Sequence, residues 1–318
     1  MSAPYRPTGV IPACLMPFDG ELRIDEAAYR SHLRDLAGVD GVTAITINGH
    51  AAEVHALTFD EQRRALEVAM DELQGAVPVI VGVSSTGSQE AARLAAMAAE
   101  GGASGLLVFP PESMSMGGQL RPEMAMAHYG RIVDATDLPL ILFQYPLPGG
   151  LGYPLQTMLS LCQKYPTIRG IKDWCNDPAL HERHIRELHA LENPVAVLST
   201  HSAWLLGSLV MGCDGLLSGA GSVVANLQVA LFRAVQADDL ATARRLSDRL
   251  YPITRAFYGA PFLDMHNRMK EALVMLGRLP AAHVRPPLMK LSADEIQSIR
   301  RFLEQAEITP ATVYQPVT

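Results

Sequence analysis

A lysine closes the short apolar segment Arg169-Gly170-Ile171-Lys172-Asp173. Buried lysines are rare without a partner. Burial also lowers the pKa of an amine, which makes it a better nucleophile. An amine of that kind forms Schiff bases with carbonyl substrates. Taken alone, the segment favours the ordinary alternative, a lysine whose head reaches solvent from a strand end. Its place among the other elements reverses that preference. Further residues able to do chemistry follow other apolar runs: His50, Glu112, Tyr145, His201 and Ser218. Lys172 is the one amine nucleophile among them.

The elements that must position these residues alternate along the chain. Candidate strands are Val10–Cys14, Val42–Ile47, Val77–Val83, Gly105–Phe109, Leu138–Phe143, Ile168–Lys172, Val195–Thr200 and Gly215–Ser218. Between them run amphipathic helical patterns such as Asp25–Ala37, Phe59–Leu73, Gln89–Glu100 and Pro178–Leu191. Thr58-Phe59-Asp60-Glu61 and Ser292-Ala293-Asp294-Glu295 are capping boxes, and Asp25 is an N-cap candidate. Nearly all-apolar strands fit a parallel sheet covered by helices. The pattern predicts an α/β fold, a (β/α)8 TIM barrel over 8–237. Three further helices near 239–258, 261–277 and 292–305 form a C-terminal extension over 238–306, packed on the barrel and followed by a tail at 307–318. A doubly wound dinucleotide-binding sheet expects G-x-G-x-x-G after its first strand. That motif is absent. Gly219-Ala220-Gly221-Ser222 comes nearest and reads as a turn into a helix.

Composition narrows the function classes. The 318 residues carry a formal charge of −7, with 48% hydrophobic and 19% charged residues. No block of basic residues points to a nucleic-acid partner. No apolar stretch approaches the ~20 residues of a membrane span, and the N-terminal segment lacks an apolar signal core. Cys14, Cys162, Cys175 and Cys213 are scattered and suggest neither disulfides nor a zinc site. A soluble cytoplasmic protein is expected. His181, His184 and His189 lie on one predicted helix without H-E-x-x-H spacing, so a solvated helix face is expected and no metal site.

Barrel enzymes of this kind carry their active sites at the C-terminal ends of the strands. At that end the residues resemble the dihydrodipicolinate synthase / N-acetylneuraminate lyase superfamily. The resemblance runs over roughly residues 8–306. It rests on Gly9-Val10-Ile11-Pro12-Ala13 with Pro17-Phe18, and on Asn48-Gly49-His50-Ala51-Ala52-Glu53 with Leu57-Thr58. Val77–Gly82, Gly170-Ile171-Lys172, Gly212–Ser218 with Asn226, and Val284-Arg285-Pro286-Pro287-Leu288 continue it. The resemblance implies that Lys172 is the Schiff-base lysine. It also implies a homo-oligomer, commonly a tetramer, with no metal or organic cofactor.

Several positions depart from the family pattern. The usual Gly-Thr-Thr-Gly-Glu reads Gly49-His50-Ala51-Ala52-Glu53, so hydroxyls that help hold a substrate carboxylate are gone. Backbone N–H groups at His50 and Ala51 could replace them. The family's phenolic acid/base maps to Phe143. Tyr145, two residues on, shares its strand face if the strand continues, and otherwise is a rim tyrosine. The tyrosine normally placed after the fourth strand reads Glu112, and the arginine after the strand-five proline is absent. Dihydrodipicolinate synthesis is therefore not expected.

The expected activity is that of a Schiff-base lyase on a 2-oxo acid such as pyruvate or a 2-keto-3-deoxy acid. Lys172 is the nucleophile, and His50 or Tyr145 moves protons. Ala51, Phe143, Glu112, His201, Ser218 and Gly219 are expected to contact substrate. Two alternatives stay open: a dehydratase or deaminase working through the same iminium, and a non-catalytic barrel that binds a small carbonyl acid.

Overall fold

The computed structural model describes residues 5–317. The start of the N-terminal segment and the last position of the tail lie outside them. Eight parallel strands form one sheet: β1 (Gly9–Pro12), β2 (Ile45–Ile47), β3 (Val79–Val83), β4 (Gly105–Val108), β5 (Leu140–Gln144), β6 (Ile168–Asp173), β7 (Ala196–Ser199) and β8 (Gly215–Ser218). The order runs from β2 stepwise to β8, which pairs with β1. Bridges from Val10 to Val42 and from Ala13 to Thr46 bring β1 against β2 and close the ring. This is the expected (β/α)8 barrel.

Closure depends on glycine. Where β8 meets β1, Gly215 pairs with Gly9. A Cβ on Gly215 would stand 2.1 Å from the Gly9 carbonyl oxygen, and Gly9 itself has φ +77°. Both conditions exclude larger residues.

The strand residues are buried almost without exception, because helices cover the outside and side chains fill the inside. The covering helices are α1 (Glu26–Ala37), α2 (Phe59–Leu73), α3 (Ser88–Glu100), α4 (Pro122–Val133), α5 (Leu155–Lys164), α6 (Pro178–His189), α7 (Leu205–Val210) and α8 (Gly221–Gln236). The local start signals operate as read. Asp25 caps α1, and Thr58 forms the capping box of α2 with Glu61. Gly221 opens α8 directly after the glycine-rich turn.

Three helices follow the barrel: α9 (Leu240–Tyr258), α10 (Met265–Met275) and α11 (Ala293–Gln305). Buried polar bonds tie them to the barrel. Lys270 of α10 and Glu53, which follows β2, form an ion pair with both side chains fully buried. The Glu53 carboxylate also accepts from the Arg285 backbone N–H at 3.1 Å. The Arg285 guanidinium in turn reaches Glu61 at 2.6 Å. Glu53 and Val284–Leu288, two separate pieces of the sequence pattern, thus meet in space. The segment beyond α11 is also anchored. Asn226 donates to the carbonyls of Thr312 and Gln315, and the Tyr314 hydroxyl donates to the Ser222 carbonyl.

Candidate active site

Lys172 stands at the end of β6 with its side chain inside the barrel. Its neighbour in register on β5 is Phe143, and Nζ lies 4.2 Å from the Phe143 ring centre. Burial lowers the amine from its ordinary 10.5 to about 7. The alternation of strand side chains sends the next residue, Asp173, to the opposite face. There the carboxylate meets α6. The Nδ1 atoms of His181 and His184 sit 2.8 and 2.7 Å from Asp173 Oδ2, and the Cys175 N–H donates to Oδ1. Burial pushes the Asp173 carboxyl up, but these bonds outweigh it and hold the group well below the usual range.

The expectation of a solvated histidine face on α6 is overturned. His181 and His184 are fully buried, because a helix covering β6 must turn one face inward and Asp173 waits there. His189, partly exposed, pairs with Asp214 at 2.6 Å. Asp173, Cys175, His181 and His201 bring ligand-type atoms within 4.8 Å of one another. Hydrogen bonds already engage them. His201 Nε2 accepts from the Asn176 N–H, and Cys175 Sγ lies 3.3 Å from the Asp177 carbonyl. The set reads as a satisfied buried network that fixes the segment after Lys172.

His50 opens a 3-10 turn, His50–Ala52, directly after β2. Its Nε2 lies 2.8 Å from the Tyr145 hydroxyl. Tyr145 follows β5, and its ring sits 4.5 Å from that of Phe143. Burial, then the charge of Lys172, lowers His50 to about 3, so the imidazole is neutral. Burial raises the Tyr145 phenol well above its ordinary value. The pair is a neutral hydrogen-bonded couple beside the amine. The first bonds of the turn run from the Ala52 N–H to Gly49 O and from the Glu53 N–H to His50 O. The N–H groups of His50 and Ala51, one step earlier, have no partner within the turn.

A cavity of about 510 Å³ lies above these residues. His50, Ala51, Phe143, Lys172, His201 and Gly219 line it. Two other residues named from the sequence, Glu112 and Ser218, lie outside the lining. Glu112 is exposed on a turn after β4 and is not part of the lining. The Ser218 hydroxyl is buried and accepts from Gln228, because its strand face points into a polar contact with α8. Burial holds the His201 imidazole neutral, with its pKa lowered to about 3.

The extension supplies a whole wall that the sequence reading did not assign. Thr254, Arg255 and Tyr258 of α9, Phe262, and Met265 of α10 line the cavity. The Tyr258 hydroxyl accepts from the Ala220 N–H at 2.9 Å, which fixes it over the turn after β8. Lys172 and Arg255 are the lysine and arginine of the lining, and no carboxylate lines the cavity. No sequence signal singled these residues out, since their helix lies far along the chain from the strand ends it faces.

The chain matches the model of the dihydrodipicolinate synthetase family over residues 6–306. It belongs to that family. The 4-hydroxy-tetrahydrodipicolinate synthase of Methanopyrus kandleri is 30% identical over 305 residues, which cover 95% of this chain and 97% of the relative. The enzyme of the same name from Salinibacter ruber is 33% identical, covering 92% of each chain. The crystal structure of YagE, a prophage protein of the family from Escherichia coli in complex with pyruvate, superposes with a TM-score of 0.87 at 25% identity. That match covers 95% of this chain and 99% of YagE. The family is one of lyases, and this member is an enzyme of that class. The fold expected from the resemblance holds. Among the described residues no helix is long and apolar enough to cross a membrane.

Proposed function

We propose that this lyase uses Lys172 as the nucleophile of an aldolase-type reaction on a 2-oxo acid. The observation that carries the reading is the buried Lys172 amine at the end of β6, with its pKa lowered to about 7 and its head open to the cavity. Near neutral pH about half of it is free amine, able to attack the substrate carbonyl and form an iminium. The iminium withdraws electrons from the adjacent carbon, which stabilises the carbanion-like state of C–C cleavage. The Phe143 ring face, 4.2 Å from Nζ, favours the positive charge of the iminium. The unpartnered N–H groups of His50 and Ala51 suit the substrate carboxylate.

The His50–Tyr145 couple supplies the proton relay, in place of the phenol that Phe143 lacks. The couple is neutral at rest, so it takes a proton from one reacting group and returns it to another within the same turnover. Glu112, exposed and outside the cavity, does not replace the missing tyrosine. No arginine follows Pro146 in the stretch Leu147-Pro148-Gly149-Gly150. Both points argue against dihydrodipicolinate synthesis as the activity, although the relatives named above carry that name. A neighbour crystallised with pyruvate supports a 2-oxo acid head group. The same reading includes a homo-oligomer, a dimer or tetramer, in the cytoplasm, working without an added cofactor.

Product analysis tests the reaction class. Incubation with a 4-hydroxy-2-oxo acid yields pyruvate and an aldehyde if the reading is right. A dehydrated 2-oxo acid with all its carbons retained would assign a hydro-lyase instead.

A further inference from the structure

Aromatic side chains make up much of the cavity lining beyond Lys172. Trp174 and Trp204, the two tryptophans of the chain, both line it. Phe262 stacks on Trp174 at 5.1 Å with the rings 17° apart, and on Tyr258 at 5.5 Å and 20°. Asn176, Thr200, Ser202 and Arg255 also line the cavity, and three further polar groups of the lining are already bonded. Thr254 Oγ1 donates to the Ser202 carbonyl at 3.0 Å. His201 Nε2 takes the Asn176 N–H, and the Tyr258 oxygen takes the Ala220 N–H.

A three-carbon 2-oxo acid head fills only a small part of about 510 Å³. The remaining space is for a tail. A polyhydroxylated tail could bond only some of its hydroxyls to these few polar groups and would lay the rest against ring surfaces, at a cost of about 1–3 kcal/mol for each group left unpaired. A cationic tail would meet Lys172 and Arg255 with no carboxylate to offset them. A flat aromatic ring matches the wall, since stacked and edge-on ring pairs add to simple burial.

We infer that the tail is aromatic: the substrate is a 4-aryl-4-hydroxy-2-oxobutanoate, cleaved to pyruvate and an aromatic aldehyde. This rests on the reading of Lys172 as nucleophile. The amine condenses with the C2 carbonyl and releases water. The His50–Tyr145 couple accepts the C4 hydroxyl proton as the C3–C4 bond breaks. The aldehyde leaves with its new C=O bond, and the electron pair moves into an enamine. C3 then takes up the proton, and water hydrolyses the iminium to pyruvate and free lysine.

The synthetic direction tests it with the intact enzyme. Pyruvate is offered with benzaldehyde or with glyceraldehyde, and the aldol product is measured by mass spectrometry. Benzaldehyde should give a kcat/KM at least tenfold higher. Phe262→Ala should cut that preference at least fivefold, through the KM for benzaldehyde, and Phe262→Tyr should keep it. Equal or better use of glyceraldehyde overturns the inference, as does a Phe262→Ala variant that slows both aldehydes alike. If borohydride still traps pyruvate on Lys172 while benzaldehyde is not used, the aromatic tail alone is wrong. If pyruvate is not trapped, the reading of Lys172 falls with it.

Discussion

The Tyr145 hydroxyl sits 2.8 Å from His50 Nε2, joining the end of β5 to the turn after β2 across the barrel mouth. Both groups are neutral, and the couple stands beside a lysine amine held near neutrality by burial. The period of two along an extended chain placed Tyr145 on the face of Phe143, one step nearer the mouth.

If the couple is the proton relay, its two members act as a unit. Tyr145→Phe should lower kcat by about 10²-fold or more, and His50→Gln by a similar amount. The double variant should lose little beyond the worse single one. Steady-state kinetics of the three variants checks this, and fully multiplicative losses would argue for separate roles.

The pH dependence follows from Lys172. Its amine titrates near 7, so it is ammonium below that pH and free base above. The rate of reductive trapping by pyruvate should rise with pH and level off above about 7. An unshifted lysine would keep gaining to about 10.5.

The same burial predicts a stability cost. Between about 7 and 10.5 the unfolded chain holds a proton on Lys172 that the folded chain does not. Stability therefore rises with pH across that window and is most penalised below 7. Lys172→Met should raise the Tm at pH 7 by about 2 °C or more, with the gain shrinking towards pH 10. Calorimetric melts across pH would show it, and a Tm lowered at pH 7 would contradict it.

Lys270 and Glu53 predict the opposite. Both side chains are fully buried, and each is the other's counter-charge. Lys270→Met should destabilise by about 3–5 kcal/mol, because it leaves a buried carboxylate without its cation. A double Glu53→Leu, Lys270→Met variant should recover much of that loss in denaturant titrations.

What the sequence made legible was local or periodic. Capping at Asp25, Thr58 and Ser292 needs only neighbours within a turn, and the barrel follows from apolar strands at regular intervals. Lys172, His50 and Phe143 could be placed because strand ends converge in such a barrel. Groups whose partners come from other elements were not legible. His181 and His184 looked like a solvated face because Asp173, on the strand beneath, does not appear in the helix pattern. Glu112 was assigned by position after β4, but its turn carries the side chain outward. Tyr258 and Phe262 reach the cavity only because α9 and α10 fold back over the barrel mouth.

The central claim is that Lys172 bonds covalently to a 2-oxo acid. Incubation with pyruvate, reduction with sodium borohydride and peptide mapping by mass spectrometry tests it most directly. The account predicts a single reduced adduct on the peptide containing Lys172, absent in Lys172→Ala. No adduct on Lys172 with pyruvate or any of a broad panel of 2-oxo acids, or an undiminished adduct in Lys172→Ala, would contradict it.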